Sequence, residues 1–131
     1  MQIPNIGLLF AFSVTSVWIL TLKHALFSHT INIFTTPFLF LTVNHLYTGL
    51  FITAHDSIHG TICSSFPKLN GMIGRFCLMV FAGFDYDLIR KEHWKHHSHA
   101  GLVNEDPDYH RGDTSFPAWF LSFMLHYMSL G

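Results

Sequence analysis

Over residues 1–55 this chain carries a single charged side chain, Lys23; no other Asp, Glu, Lys or Arg occurs before Asp56. Folds that face water need charged residues on their solvated surfaces, so a stretch this long without them is suited to a bilayer. A helix over about 6–22 is roughly 25 Å long at 1.5 Å per residue, and the uncharged residues before it extend it towards the ~30 Å of a hydrocarbon core. The competing reading is a secretory signal peptide. That would want a basic n-region and a small-x-small cleavage site, and neither is visible. Residues 23–36 then read as a short connection.

Thr36-Pro37 marks a second helix start, with Thr at N-cap and Pro at N1, where its missing N–H costs nothing. This helix can run over 37–59, long enough to span, and Gly60 is placed as the C′ residue that stops it. Asn44 and His45 fall mid-span, where polar groups need partners. The expected partner is a hydroxyl on another helix; the alternative is a contact near a substrate channel or a remote ligand.

Two histidine clusters follow. His55 and His59 form an i, i+4 pair on the last turn of the second helix, at the water boundary. His93, His96 and His97 fall within roughly a 100° arc of a helix and can point at one place. A lone histidine is ordinarily a hydrogen-bonded surface or core residue. Two clusters at turn spacing, in a chain whose 11 His outnumber its 7 Lys+Arg, point instead to a metal site. Neutral imidazole is the commonest metal ligand, and nitrogen donors suit iron, zinc, copper or nickel better than calcium or magnesium.

The second cluster lies on a helix from Asp85 to His99, with Asp85 or Asp87 as N-cap and Gly101 as the stop. His99 falls about 60° outside the ligand arc and is an outer residue only. Residues 104–108 form an acidic turn, mostly a solvated loop, yet one or two carboxylates there could accept the free N–H of a ligating imidazole. Asp106 is one such residue, and Asp56, inside the first cluster, is the foremost.

With 131 residues the chain makes at most one domain, and its 50% hydrophobic and 11% charged residues fit a membrane protein. A formal charge of −1, with no basic run and no Gly-rich phosphate loop, gives no sign of nucleic-acid binding. Cys63 and Cys77 form no C-x-x-C pattern and read as small apolar residues of a reducing compartment. No G-x-S-x-G nucleophile elbow is present.

The segment 60–92 is too short for the two crossings, about 40 residues, that would return the chain to the same face. Its apolar part, 76–84, suits a re-entrant or interfacial element. A last apolar run from Ser115-Phe116-Pro117 to Leu130 spans about 14 residues, or ~21 Å, and resembles an unfinished third span. Lys68, Arg75, Arg90, Lys91, Lys95 and Arg111 lie between the second and third spans, against Lys23 in the opposite loop. The positive-inside rule then places the histidine clusters in the cytoplasm. The expected fold class is all-α, with integral membrane helices and a histidine-box helix on the cytoplasmic face.

His55-Asp56-x-x-His59-Gly60, then His93-x-x-His96-His97, Gly101 and Asp106-Pro107-Asp108-Tyr109, resembles the bacterial and cyanobacterial type of beta-carotene ketolase. That type belongs to the membrane fatty-acid desaturase and hydroxylase superfamily. The similarity extends over about 50–127. The histidine boxes are shared across the superfamily, while the stretch from Phe84-Asp85-Tyr86-Asp87-Leu88 to Asp106-Pro107-Asp108-Tyr109 points to the ketolases. The resemblance implies a non-haem di-iron centre, O2 as oxidant and a ferredoxin-like electron donor. Carbon 4 of a carotenoid ring would be hydroxylated twice, and loss of water would leave a ketone. His55, His59, His93, His96 and His97 would be iron ligands. Members of the family carry a third histidine box after further membrane helices, whereas here His110 and His126 stand alone after His97. The expectation is therefore a partial domain over 1–131, inactive by itself. Two other enzymes of the superfamily, a fatty-acyl desaturase and a carotenoid ring hydroxylase, are rival readings, as are a small metal-binding membrane protein and an inactive remnant.

Overall fold

The computed structural model describes residues 6–109 and 115–128, and these are helical with no strand, as expected. Five helices follow in order: α1 (Ile6–Phe27), α2 (Thr36–Ile58), α3 (Pro67–Ala82), α4 (Tyr86–His99) and α5 (Phe116–Tyr127). The chain divides into two compact units, Met1–Cys77 and Leu78–Gly131.

In the first unit α1 and α2 pack as an antiparallel hairpin. The contact is made where side chains are small. A Cβ on Gly7 would lie 2.7 Å from the Ile62 carbonyl oxygen, and one on Gly49 would meet Val14 Cγ1 at 3.1 Å. Gly7 lets α1 approach the backbone of the turn after α2, at Thr61 and Ile62, and Gly49 lets α2 approach Val14. Further along, the Trp18 and Tyr47 rings meet edge to face with centroids 5.8 Å apart. Ala11 is the one buried residue of α1, and Leu9, Phe12, Leu20 and Leu26 are all more than 60% exposed. α1 and α2 have 22 and 23 residues and are long and apolar enough to cross a bilayer. Their uncovered apolar faces are what lipid would contact.

α1 ends at Phe27 rather than at Leu22, so Lys23 lies within its last turns and not in a connection. A long aliphatic stem lets such a lysine stay helical while its amine reaches the interface. α2 also starts differently from expectation. Thr35, not Thr36, is the N-cap, and no side chain caps it. Instead Asn32 closes the preceding turn, its Oδ1 accepting the Phe34 N–H at 2.9 Å and its carbonyl accepting from Thr36 Oγ1 at 2.7 Å.

Four polar side chains inside α2 bond to their own helix. Thr42, Asn44, Thr48 and Thr53 each donate to the carbonyl four residues back, at 2.8–3.0 Å. This satisfies the donors without any neighbour, which a lipid-facing helix requires. The interhelical partner expected for Asn44 is thus replaced by the Phe40 carbonyl.

α2 stops as its sequence dictates, with Gly60 at φ 75° just beyond the His59 C-cap. The turn after it is fixed by buried Asn70 of α3. Asn70 Oδ1 accepts the Cys63 N–H at 3.1 Å, and Asn70 Nδ2 donates to the Ser57 carbonyl. α3 is longer than the apolar run 76–84 because it begins at Pro67. Gly71, Gly74, Lys68 and Arg75 hide that first half from a reading based on apolar runs. At 16 residues α3 is about 24 Å long, still short of a ~30 Å core.

In the second unit Asp85 caps α4, accepting the Leu88 N–H at 2.8 Å, and Gly101 at φ 80° follows its end. α5 runs from Phe116 to Tyr127, 12 residues. Its end returns to the start of α4: the Asp85 N–H donates to the Tyr127 carbonyl at 3.4 Å, beside a bridge between Phe84 and Met128.

Two substitutions test this packing in the detergent-solubilised chain. Asn70→Ala strands the Cys63 N–H and the Ser57 carbonyl in a buried place and is expected to cost about 1–3 kcal/mol. The reading is a lowered midpoint of thermal or SDS unfolding, and an unchanged midpoint contradicts the staple. Gly7→Val drives a methyl into the Ile62 backbone and is expected to open the α1–α2 hairpin, seen as lost cross-linking between cysteines placed at positions 14 and 49. Full retention of that cross-link contradicts the close approach.

Candidate metal centre

Each unit carries one histidine cluster. In the first, His55 and His59 stack along the final turn of α2 with ring centroids 4.8 Å apart. His55 Nδ1 lies 3.2 Å from Asp56 Oδ1, so the expected carboxylate partner is in place, with both side chains part-exposed. Asp56 also anchors the turn beyond the helix, its carbonyl accepting the Thr61 N–H at 3.1 Å and Thr61 Oγ1 at 2.9 Å.

In the second unit, helical spacing brings His93 and His97 together on α4, with the His96 ring farther off. The His93 and His97 rings are 4.5 Å apart and nearly perpendicular, and His96 lies 5.9 Å from His97. The Nε2 atoms of His93 and His97 are 3.0 Å apart. Two neutral imidazoles at that separation can share a proton. Equally, two nitrogen bonds of about 2.1 Å at a right angle span about 3.0 Å, so the same pair fits one cation. The donors are all imidazole nitrogen, a set that suits iron, zinc, copper or nickel.

His96 is turned by a carboxylate. Its Nδ1 lies 2.7 Å from Asp106 Oδ1, and the Asp106 side chain is only 2% exposed. Asp106 also accepts the Gly101 N–H at 2.7 Å and the Asp108 N–H at 2.9 Å. Burial pushes the Asp106 carboxyl up, but those two N–H groups and His96 outweigh it and hold it below its ordinary value. It is therefore ionised at neutral pH and can only accept. Neutral His96 then carries its proton on Nδ1 and keeps the Nε2 lone pair for a metal.

His99 stands apart from the cluster, as its angle implied. Its Nδ1 meets the Lys95 carbonyl at 3.1 Å and its Nε2 meets Glu105 at 3.3 Å. Both ring nitrogens are thus turned to its own helix and to the acidic loop. His110 and Arg111 lie outside the described residues. His126, on α5, is exposed and packs on the neighbouring Tyr127 ring at 4.8 Å. Cys63 and Cys77 are free and buried, and burial pushes the Cys77 thiol up to about 11, so it holds almost no thiolate at neutral pH.

Of three further residues of this site, only Asp108 had a sequence signal, as part of the acidic turn 104–108. Asp108 Oδ1 accepts from Tyr127 Oη at 2.9 Å, and the Asp108 carbonyl accepts from Trp119 Nε1 at 3.1 Å. A carboxylate next to Pro107 reads as a solvated turn, and neither aromatic is at a spacing that links it to the loop. Only the second acid of Asp106-Pro107-Asp108 marks the place.

Comparison with known proteins agrees with this chemistry. The fatty acid desaturase family model matches residues 30–131. The beta-carotene ketolase of Haematococcus lacustris is 48% identical over 91 residues, 70% of this chain and 28% of that protein. The beta-carotene 4-ketolase of Protosiphon botryoides is 50% identical over 91 residues, 70% of this chain and 24% of its own length. The zeaxanthin 4-ketolase of Chlamydomonas reinhardtii is 45% identical over the same share of this chain and 20% of itself. The chain thus spans about a quarter of the length of these curated relatives. No solved structure matches it. With the family model covering most of its residues and two imidazole clusters at helical spacing, the chain belongs to the fatty acid desaturase family.

Proposed function

We propose that this chain is part of a membrane di-iron oxygenase that converts carbon 4 of a carotenoid ring to a ketone, using O2 and a ferredoxin-like electron donor. The observation that carries this reading is the likeness to the algal ketolases, and the imidazole cluster of α4 supports it. Desaturase-family membership implies iron.

In this reading His55, His59, His93, His96 and His97 are iron ligands. Iron, when bound, would supply the activation of O2 needed to oxidise a ring C–H bond, which side-chain acid–base chemistry cannot do. The chain's own residues orient and hold. Asp106 keeps the His96 proton on Nδ1 and turns Nε2 outward, and Asp56 does the same for His55. The His99–Glu105 pair borders the acidic loop without supplying a ligand. α1 and α2 set the site at the edge of the bilayer in which a carotene dissolves. Lys68, Arg75, Arg90, Lys91 and Lys95 follow α2 and favour a cytoplasmic face for the histidines.

The test is expression of the gene carrying this chain in bacteria that accumulate beta-carotene, followed by pigment analysis. A red-shifted keto-carotenoid is expected, and its loss in His93→Ala and His97→Ala variants. A hydroxylated ring without ketone would favour the ring hydroxylase, and altered acyl chains would favour a desaturase; either overturns the ketolase reading. Asp106→Asn, which keeps the shape but removes the charge and one acceptor, is expected to lower iron affinity about 10–100-fold. Iron content after dialysis against a weak chelator checks this, and wild-type retention contradicts the role given to Asp106.

A further inference from the structure

We propose that Tyr127 is a positioning residue for the α4 histidines, its hydroxyl holding Asp108 so that Asp106 locks the His96 ring. This rests on the reading of His96 as a metal ligand.

Residues 101–109 carry Asp106 to His96, yet the side of this loop towards α5 borders a cavity of about 1020 Å3 rather than packed core. Asp106, Trp119, Phe123 and Tyr127 all line it. Close packing therefore does not fix the loop there, and polar ties must. Two come from α5, and both end on Asp108: Tyr127 Oη to the carboxylate and Trp119 Nε1 to the carbonyl. The Asp108 N–H then donates to the same Asp106 oxygen that His96 Nδ1 reaches, and Asp108 Oδ2 stands 4.0 Å from that Nδ1.

Tyr127 is well anchored for such a task. It is 3% exposed and its ring packs on Phe84 and Phe123, with centroids 6.2 and 4.7 Å away. Its carbonyl accepts from the Asp85 N–H, the N-cap residue of α4. One residue thereby ties the beginning of the ligand helix by its backbone and the loop beyond its end by its hydroxyl. A tyrosine meeting only a packing need would do as well without the hydroxyl, but this one aims it at a carboxylate.

Tyr127→Phe deletes that hydroxyl and leaves the ring and the backbone bond in place. In the full chain, solubilised in detergent and labelled with ¹⁵N-histidine, the His96 Nδ1 proton is expected to exchange faster with water in the variant than in the parent. Cobalt(II) titration is expected to show about tenfold weaker binding, at the low end of what losing an outer partner of a ligating histidine costs. Asp108→Ala should weaken cobalt as much, and the double variant should be no worse than Asp108→Ala alone, because the two act in series. An unchanged His96 proton and unchanged cobalt affinity in Tyr127→Phe overturn the proposal, as do fully additive losses. If His93→Ala and His96→Ala also leave cobalt binding unchanged, the metal reading itself has failed. Should Tyr127→Phe unfold the chain, Trp119→Phe, which removes the second tie to Asp108, carries the same expectation and the same refutation.

Discussion

The second unit depends on one buried carboxylate. Asp106 is almost wholly withdrawn from water and stays ionised because the Gly101 and Asp108 N–H groups and His96 all donate to it. Removing a carboxylate from water without such partners is costly, so the charge dictates the local structure. α4 has to stop where Gly101 can point its N–H inward, and the chain has to fold back to put Asp108 beside Asp106. His96 then has one orientation open to it. In the proposed metal site, the orientation of His96 follows from that grip as much as from the spacing of the α4 histidines.

The first unit answers a different constraint. A lipid-exposed helix has no water for its polar side chains, and α2 meets this at Thr42, Asn44, Thr48 and Thr53 by returning the side-chain donor to its own backbone. Small residues let α1 approach, at Gly7 and Gly49, while most large side chains of the pair stay uncovered. At the end of α2 a tertiary hydrogen-bond tie appears. There Asn70 ties α3 to the last turn of α2, the turn that carries His55 and His59.

Legibility in the sequence followed the range of the interaction. α2 and α4 were readable to about a residue because their limits are set locally, by Asp85 at the start of one and by Gly60 and Gly101 beyond the ends of both. The histidine spacing was equally local, and the rings of His93 and His97 meet as that spacing requires. α1 outran its expected end because a charged Lys23 looks like a boundary, although its stem tolerates a helix. The first half of α3 was hidden by two glycines and two cations. What could not be read at all were the long-range ties, Asn70 to Ser57 and Tyr127 to Asp108, since nothing across separations of 13 and 19 positions encodes a pairing between them.

Imidazole nitrogen, presented by helices at one-turn spacing and oriented by carboxylates, is what we propose holds iron in this protein. X-ray absorption at the iron edge of the iron-loaded protein tests it most directly. The account predicts a shell of nitrogen and oxygen at about 2.1 Å with the multiple-scattering pattern of histidine rings. A sulfur shell near 2.3 Å, the distance of a thiolate ligand, or an absorber without histidine scattering, would contradict it.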